Sequence, residues 1–310
     1  EMDTRGGVLP GADLLRNAID CHVHACPHIN ARSVNVFEAV RNAARVGMRA
    51  IGLMDNFANS SGYAALAMRE LGELGVDVFG GLIMEPSAGG ISADTVRTLL
   101  GYGYGAGGAR FISLPTHHTR NIARQEGRSP VYVEACLEIP PRGDLPGDLP
   151  EILDLVAAND VVLNTGHVSG PEAVRLVEAA KAAGVDRILA PASHFDVETV
   201  TELARLGAMT EHSFFFASHA TQVGLTHVDA AANTVAPVGA ARMAELIAAA
   251  GADNCVLSSD CGVYLLPPPH EGLREFLLLL ETCGVARSDL SKMVGENPAS
   301  LFGVAPAAAS

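Results

Sequence analysis

The stretch Ala18-Ile19-Asp20-Cys21-His22-Val23-His24 is a short apolar run closed by two histidines one residue apart. It reads as the first strand of the chain. Residues two apart on a strand share a face, so both imidazoles project together at the strand's end. That geometry suits one metal ion, because neutral imidazole nitrogen is a common ligand for divalent transition metals. The pattern gains force because later strand ends also carry ligand-type residues.

Outward from this strand, short β-branched or apolar runs alternate with Ala-rich helical patterns. Helical spacing covers 34–46, with Ser33 as cap and Gly47 as stop. A strand at 49–55, a helix at 61–74, a strand at 76–84, a helix at 92–102 and a strand at 110–115 follow. After a break, helices at 149–158, 171–183, 197–206, 237–250 and 272–283 alternate with strands at 160–165, 187–192, 208–214 and 254–259. A segment at 290–302 closes the pattern. Eight strands separated by helix-sized segments predict one α/β domain over 1–310, a (β/α)8 TIM barrel rather than a doubly wound sheet. The break, 116–150, carries many arginines and repeats Gly-Asp-Leu-Pro at 143–146 and 147–150. It reads as a long inserted loop after strand four, with a hairpin around 131–139, placed as a lid.

Composition narrows the function. The hydrophobic fraction of 48% supports a large core, and a formal charge of -14 argues against a nucleic-acid partner. Six cysteines in apolar contexts read as reduced thiols of a cytoplasmic protein. No signal-like or membrane-spanning apolar run is present in the sequence, so no membrane partner is expected. The apolar surplus and Ala-rich outer helices point toward a homo-oligomer. The Gly-rich run 101–108 lacks phosphate-cradle spacing and reads as a turn.

In such a barrel the catalytic groups sit at the C-terminal strand ends. Strand one ends in His22 and His24, strand two in Asp55-Asn56 and strand three in Met84-Glu85. Strand four runs into Thr116-His117-His118. Later ends carry His167, His194, Glu211-His212 and Asp260. Seven of the 11 histidines lie at these ends.

In these elements the chain resembles the metal-dependent amidohydrolase superfamily, in a poorly characterised branch. The matching motifs are His22-Val-His24, Thr165-Gly-His167, Ser193-His194, Ser258-Ser-Asp260 and the closing 295–303 segment, spanning roughly 17–303. The resemblance implies that His22, His24 and Asp260 hold one metal. It implies that His167 and His194 hold a second or complete the first. Asp260 would also act as general base. Zinc leads among the candidate metals, with manganese, iron or cobalt also compatible, one or two ions per chain. Strand four lacks the lysine that many binuclear relatives use as a bridge. Bridging would fall to Glu85, His117, His118 or Glu138, or to nothing, which favours a mononuclear site.

The resulting expectation is a hydrolase whose metal-bound hydroxide attacks an amide, lactam, imide or lactone-type carbonyl of a small molecule. His194 or His117 would steady the oxyanion. Glu85, His118, Arg120 and Glu211 are candidate substrate contacts. Arg32, Arg120 and Arg124 could bind a substrate carboxylate, against the simpler reading of solvated loop arginines. Glu211 and His212 alternate in direction, so only one can face the axis. His219, His227 and His270 read as surface or capping residues. Cys26 and Cys261 adjoin ligand positions but are not expected to ligate. A decarboxylase or lyase on the same scaffold is the alternative. A phosphoesterase is disfavoured by Cys261-Gly262 after Asp260, and a non-catalytic metal-binding barrel completes the set.

Overall fold

The computed structural model describes residues 9–103, 108–223, 225–226 and 232–305. The strands are β1 (Ile19–Val23), β2 (Ala50–Leu53), β3 (Asp77–Phe79), β4 (Gly81–Ile83), β5 (Phe111–Ser113), β6 (Val162–Asn164), β7 (Ile188–Pro191), β8 (Met209–Ser213), the short pair β9 (Leu225–Thr226) and β10 (Ala232–Asn233), and β11 (Cys255–Ser258). Every pairing is parallel except that of β9 with β10.

Two sheets run β1-β2-β3 and β11-β8-β7-β6-β5-β4. β3 and β4 are the two halves of the third barrel strand, parted at Gly80, where the Ser60 hydroxyl donates to the carbonyls of Leu53 and Gly81. The seam between β1 and β11 is made by single backbone bonds. His24 donates to the Cys261 carbonyl and Asp260 to that of His22, at 2.8 and 2.9 Å. The eight-stranded parallel barrel expected from the alternation is therefore present.

Helices fill the connections: α1 (Val36–Arg45), α2 (Ser61–Leu71), α3 (Ala93–Leu100), α4 (Arg120–Gln125), α5 (Pro130–Ala135), α6 (Leu149–Ala158), α7 (Gly170–Ala182), α8 (Val197–Arg205), α9 (Phe214–Ala217), α10 (Ala240–Ala250), α11 (Pro269–Thr282), α12 (Arg287–Val294) and α13 (Glu296–Phe302). Asn35, not Ser33, caps α1: it shares a capping box with Glu38. The hairpin expected at 131–139 is absent. Ser129 caps that segment and Pro130 opens it, a start signal for helix α5. No helix among the described residues is long and apolar enough to cross a membrane.

Ile19, Ala50, Phe79, Ile83, Phe111, Val162, Leu189 and Val256 pack in the barrel interior. Leu301 and Phe302 of α13 join them, with Phe302 stacked on Phe79 at 4.7 Å. The closing segment thus packs into the barrel core, away from the strand ends that form the site.

Strand alternation sends Glu211 of β8 to the axis and His212 away from it. His212 is fully buried, and neither ring nitrogen has a hydrogen-bond partner among the described residues. Burial pushes its pKa down to about 4. The unfolded chain therefore binds a proton at this residue between pH 6.5 and 4 while the native chain does not, and stability falls as pH drops through that window. His212→Leu should flatten this part of the profile by roughly 3 kcal/mol. Urea unfolding of both proteins at pH 7 and 4.5 checks this; parallel profiles would refute it.

Candidate metal centre and its cavity

The strand ends open into a cavity of about 110 Å³. Cys21 packs with Ile19 inside the barrel, yet His22, the next residue, also turns to the axis. The pairing of β1 with β2 shifts register between Asp20 and Val23, an irregularity of the kind that re-aims side chains. Asp20 Oδ1 secures the bend by accepting from the amides of His22 and Ser259, at 3.3 and 3.0 Å. Burial pushes its pKa up to about 7.

Asp260 adopts a φ of 50°, a left-handed conformation that costs a non-glycine residue about 1 kcal/mol or more. Its Oδ1 lies 3.3 Å from His22 Nε2 and 3.0 Å from His24 Nε2. One donor atom from each of the three lies within 4.8 Å of the others. All three residues are buried.

Behind them, Glu211 Oε1 sits 2.9 Å from His22 Nδ1 and accepts from the Ser258 hydroxyl at 2.6 Å. Nδ1 therefore carries a hydrogen, and Nε2 is the atom presented to Asp260 and the cavity. A carboxylate behind a ligating imidazole fixes its orientation and raises its basicity. Burial opposes charge on His22, but Asp260, Glu211 and Asp20 outweigh it and push its pKa up to about 9. Burial would raise Asp260, but His22 and His24 hold it below the usual carboxylate range. Burial pushes His24 down to about 4. A proton on His22 thus sits between two carboxylates, where a divalent cation would satisfy the same charge. Two imidazoles and a carboxylate form a donor set that fits zinc and its neighbours.

Glu211→Gln should weaken divalent-metal binding about 10–100-fold while leaving the three donors in place. Competition against a chromogenic chelator measures this, and an unchanged affinity would strip Glu211 of its supporting role.

His167 lines the same cavity. Gly166 before it has φ +63°, and a Cβ there would stand 2.4 Å from the Pro115 carbonyl, so only glycine makes this turn. Burial pushes His167 down to about 4, leaving a neutral imidazole. His194 sits elsewhere. Its Nε2 is 2.8 Å from the Ala236 carbonyl and its ring meets Phe216 edge-on at 4.8 Å. Like His167 it lies outside the three-donor group, and unlike His167 it is not among the residues that line the cavity. His117 does line the cavity, with Nε2 held by Asn56 Nδ2 at 2.9 Å.

Glu85 is occupied otherwise than expected. Its carboxylate accepts from the amides of Thr116, His117 and His118, at 2.7, 2.6 and 3.2 Å. Gathering three successive amides turns the chain sharply and sends His118 away from His117. His118 Nε2 meets the Ala135 carbonyl and Arg120 pairs with Glu138, both beside a separate surface depression. Neither reaches the cavity as a substrate contact. Glu211 acts through His22 instead of facing a ligand.

His219 is exposed and bonded to Gln222, as a surface reading expects. His270 is buried in the first turn of α11, contrary to that reading. His227 lies outside the described residues. Cys26 and Cys261 are not among the donors. The residues not singled out from sequence include Phe57 and Glu126 in the cavity wall and His28 beside it. They sit on loops or loop helices, where no periodicity marks direction; the run of three phenylalanines at 214–216 reads in the sequence as core and pocket wall, and Phe214 is core while Phe215 and Phe216 line the cavity.

The sequence profile of a family of unknown function matches residues 17–211. No curated protein matches. Among solved structures, an amidohydrolase from Pseudomonas aeruginosa aligns at 13% identity and TM-score 0.60, over 96% of this chain and 99% of its own. An organophosphorus hydrolase from Deinococcus radiodurans aligns at 18% and 0.55, over 97% and 96%. A 2,6-dihydroxybenzoate decarboxylase aligns at 9% and 0.56, over 93% and 99%. The chain shares the barrel fold of these proteins along nearly its whole length.

Proposed function

Because the chain belongs to the family of unknown function DUF6282 and carries a buried His22–His24–Asp260 group at the mouth of its barrel, we propose that it is a metal-dependent hydrolase of small molecules, with a carbonyl of the amide, lactam, imide or lactone type as its target. That three-donor group carries the reading. A divalent ion bound there supplies Lewis acidity, which acidifies water and polarises a carbonyl. His22, His24 and Asp260 would hold the ion, and His167, neutral at physiological pH, is the fourth candidate donor. Asp260 also takes the proton of the attacking water and passes it to the departing heteroatom. His117 Nε2 accepts from Asn56 Nδ2, which leaves the ring hydrogen on Nδ1, the atom that would donate to the carbonyl oxygen as charge develops there. Ile122 and Glu126, at the start of the 116–150 insertion, wall the cavity and exclude water as the lid.

A decarboxylase is the second reading, favoured by the alignment with the dihydroxybenzoate enzyme and by a cation, Arg32, in the cavity wall. Assaying metal-loaded protein against lactones, lactams, imides and hydroxyaryl acids separates the two: acid release marks the hydrolase, carbon dioxide the decarboxylase. Asp260→Asn should lower either activity about 10²–10⁴-fold even at saturating metal, because the amide oxygen remains a weak ligand but accepts no proton. Undiminished turnover in that variant would remove Asp260 from the chemistry.

A further inference from the structure

Among the described residues, Arg32 is the only Lys or Arg lining the cavity that holds the three-donor group. Its loop is tied beside that group: Arg32 pairs with Val263, and the Ser33 amide donates to the Gly262 carbonyl at 2.7 Å. Yet the guanidinium forms no ion pair with a carboxylate among the described residues; Asp55 and Asp260 act on it only from farther off. Nη2 lies 2.7 Å from His28 Nε2, and Nε is buried without any hydrogen-bond partner. A guanidinium is a planar fork built for two parallel bonds to a carboxylate, and an unpaired buried donor is costly.

The charge balance runs the same way. With His22 and His24 as neutral ligands, the charges at the cavity (a divalent ion, Arg32, Asp260 and Glu126) sum to a single positive charge. Electropositive, partly desolvated clefts concentrate anions. A single guanidinium matches a monoanion; a phosphate dianion draws several cations. The rest of the wall is apolar and aromatic, with Phe57 near Arg32's partner His28 and Phe215 and Phe216 at the same cavity.

We propose that Arg32 is the carboxylate-binding group of this cavity, and that the substrate is a small ring-bearing monocarboxylate with its anion on Arg32 and its ring against Phe57, Phe215 and Phe216. This rests on the cavity being the substrate site, not on which bond is cleaved there. His28, whose imidazole burial holds neutral with a pKa of about 3, is the positioning residue for the guanidinium.

The test is calorimetric binding of benzoate, benzamide and phenyl phosphate to the full chain, in metal-loaded and chelator-stripped forms. Wild-type protein should bind benzoate more than about tenfold tighter than the uncharged benzamide, and tighter than phenyl phosphate. Arg32→Gln should erase the preference for benzoate over benzamide, and Arg32→Lys should restore only part of it. Metal content and melting temperature of both variants verify that the fold and the donors persist. Benzoate binding that survives Arg32→Gln unchanged overturns the proposal, even where metal binding is intact. A preference for phenyl phosphate overturns the assignment of substrate class. If no metal binds but benzoate selectivity still depends on Arg32, the hydrolase reading fails and the carboxylate site stands.

Discussion

His22→Ala purified under metal-replete conditions should retain only background metal, against about one transition-metal ion per wild-type chain. The loss is more than one ligand of several. His22 Nε2 is one of the three donors, Nδ1 is the contact through which Glu211 and Ser258 act, and its backbone carbonyl receives the Asp260 amide. Removing the imidazole leaves Glu211 buried with no cationic partner, a defect worth about 3–5 kcal/mol when a buried pair is broken from one side. The apo variant should therefore also melt earlier. His22→Gln, which keeps a polar group of similar reach, separates the effects: stability should recover in part while metal does not. Elemental analysis finding the ion at wild-type stoichiometry in His22→Ala would undo the assignment of the centre. Two tightly held ions in the wild-type protein would instead refute the mononuclear reading.

The second large effect is expected at a residue with no functional group. Gly262 follows Asp260 by two positions, has a φ of +111°, and a Cβ built on it would stand 1.5 Å from the His24 carbonyl oxygen. No side-chain rotation relieves a clash with backbone. Gly262→Ala must displace either the His24 backbone or the segment carrying Asp260, and both displacements pull donors apart. The expected cost is about 4 kcal/mol or more, a fall in Tm of roughly 6 °C or more for a chain this long, together with weakened metal binding. Differential scanning calorimetry on apo and loaded protein measures both, and a melting curve that overlays the wild type would show that the barrel seam yields more readily than its packing suggests.

Much of this architecture could be read before any coordinates. Strand runs and Ala-rich helices alternate with the period of a barrel, and the alternation survives local errors such as the misplaced cap of α1. The donors His22, His24 and Asp260 were legible because each sits at a strand end, where direction follows from the strand. Alternation likewise made only one of Glu211 and His212 free to face the axis, and Glu211 does so. What strand logic could not reach was set by tertiary bonds. Glu85 stands at a strand end like a ligand, but the amides of residues 116–118 capture it. His194 also stands at a strand end, and its ring turns to the Ala236 carbonyl. Arg32 and His28 lie in a loop without periodicity, and only the fold shows that the loop packs against the segment after Asp260. Segment 130–135 had a start signal in Ser129-Pro130, yet its β-branched residues read as strand.

The seam between the first and last barrel strands has a consequence for biosynthesis. Asp20 and Ser259, whose bond helps close it, are 239 positions apart in the chain. The two histidines are made long before the carboxylate, so a growing chain on the ribosome holds two of the three donors for the whole interval between them. Contacts this distant along the chain are slow to form. A free ion that reaches the early histidines meets ligands unsupported by Glu211 or Asp260 and gains little from staying. An ion bound by these donors would therefore load only once the circle of strands is complete, and would act as a clasp that joins the first strand of the barrel to the last.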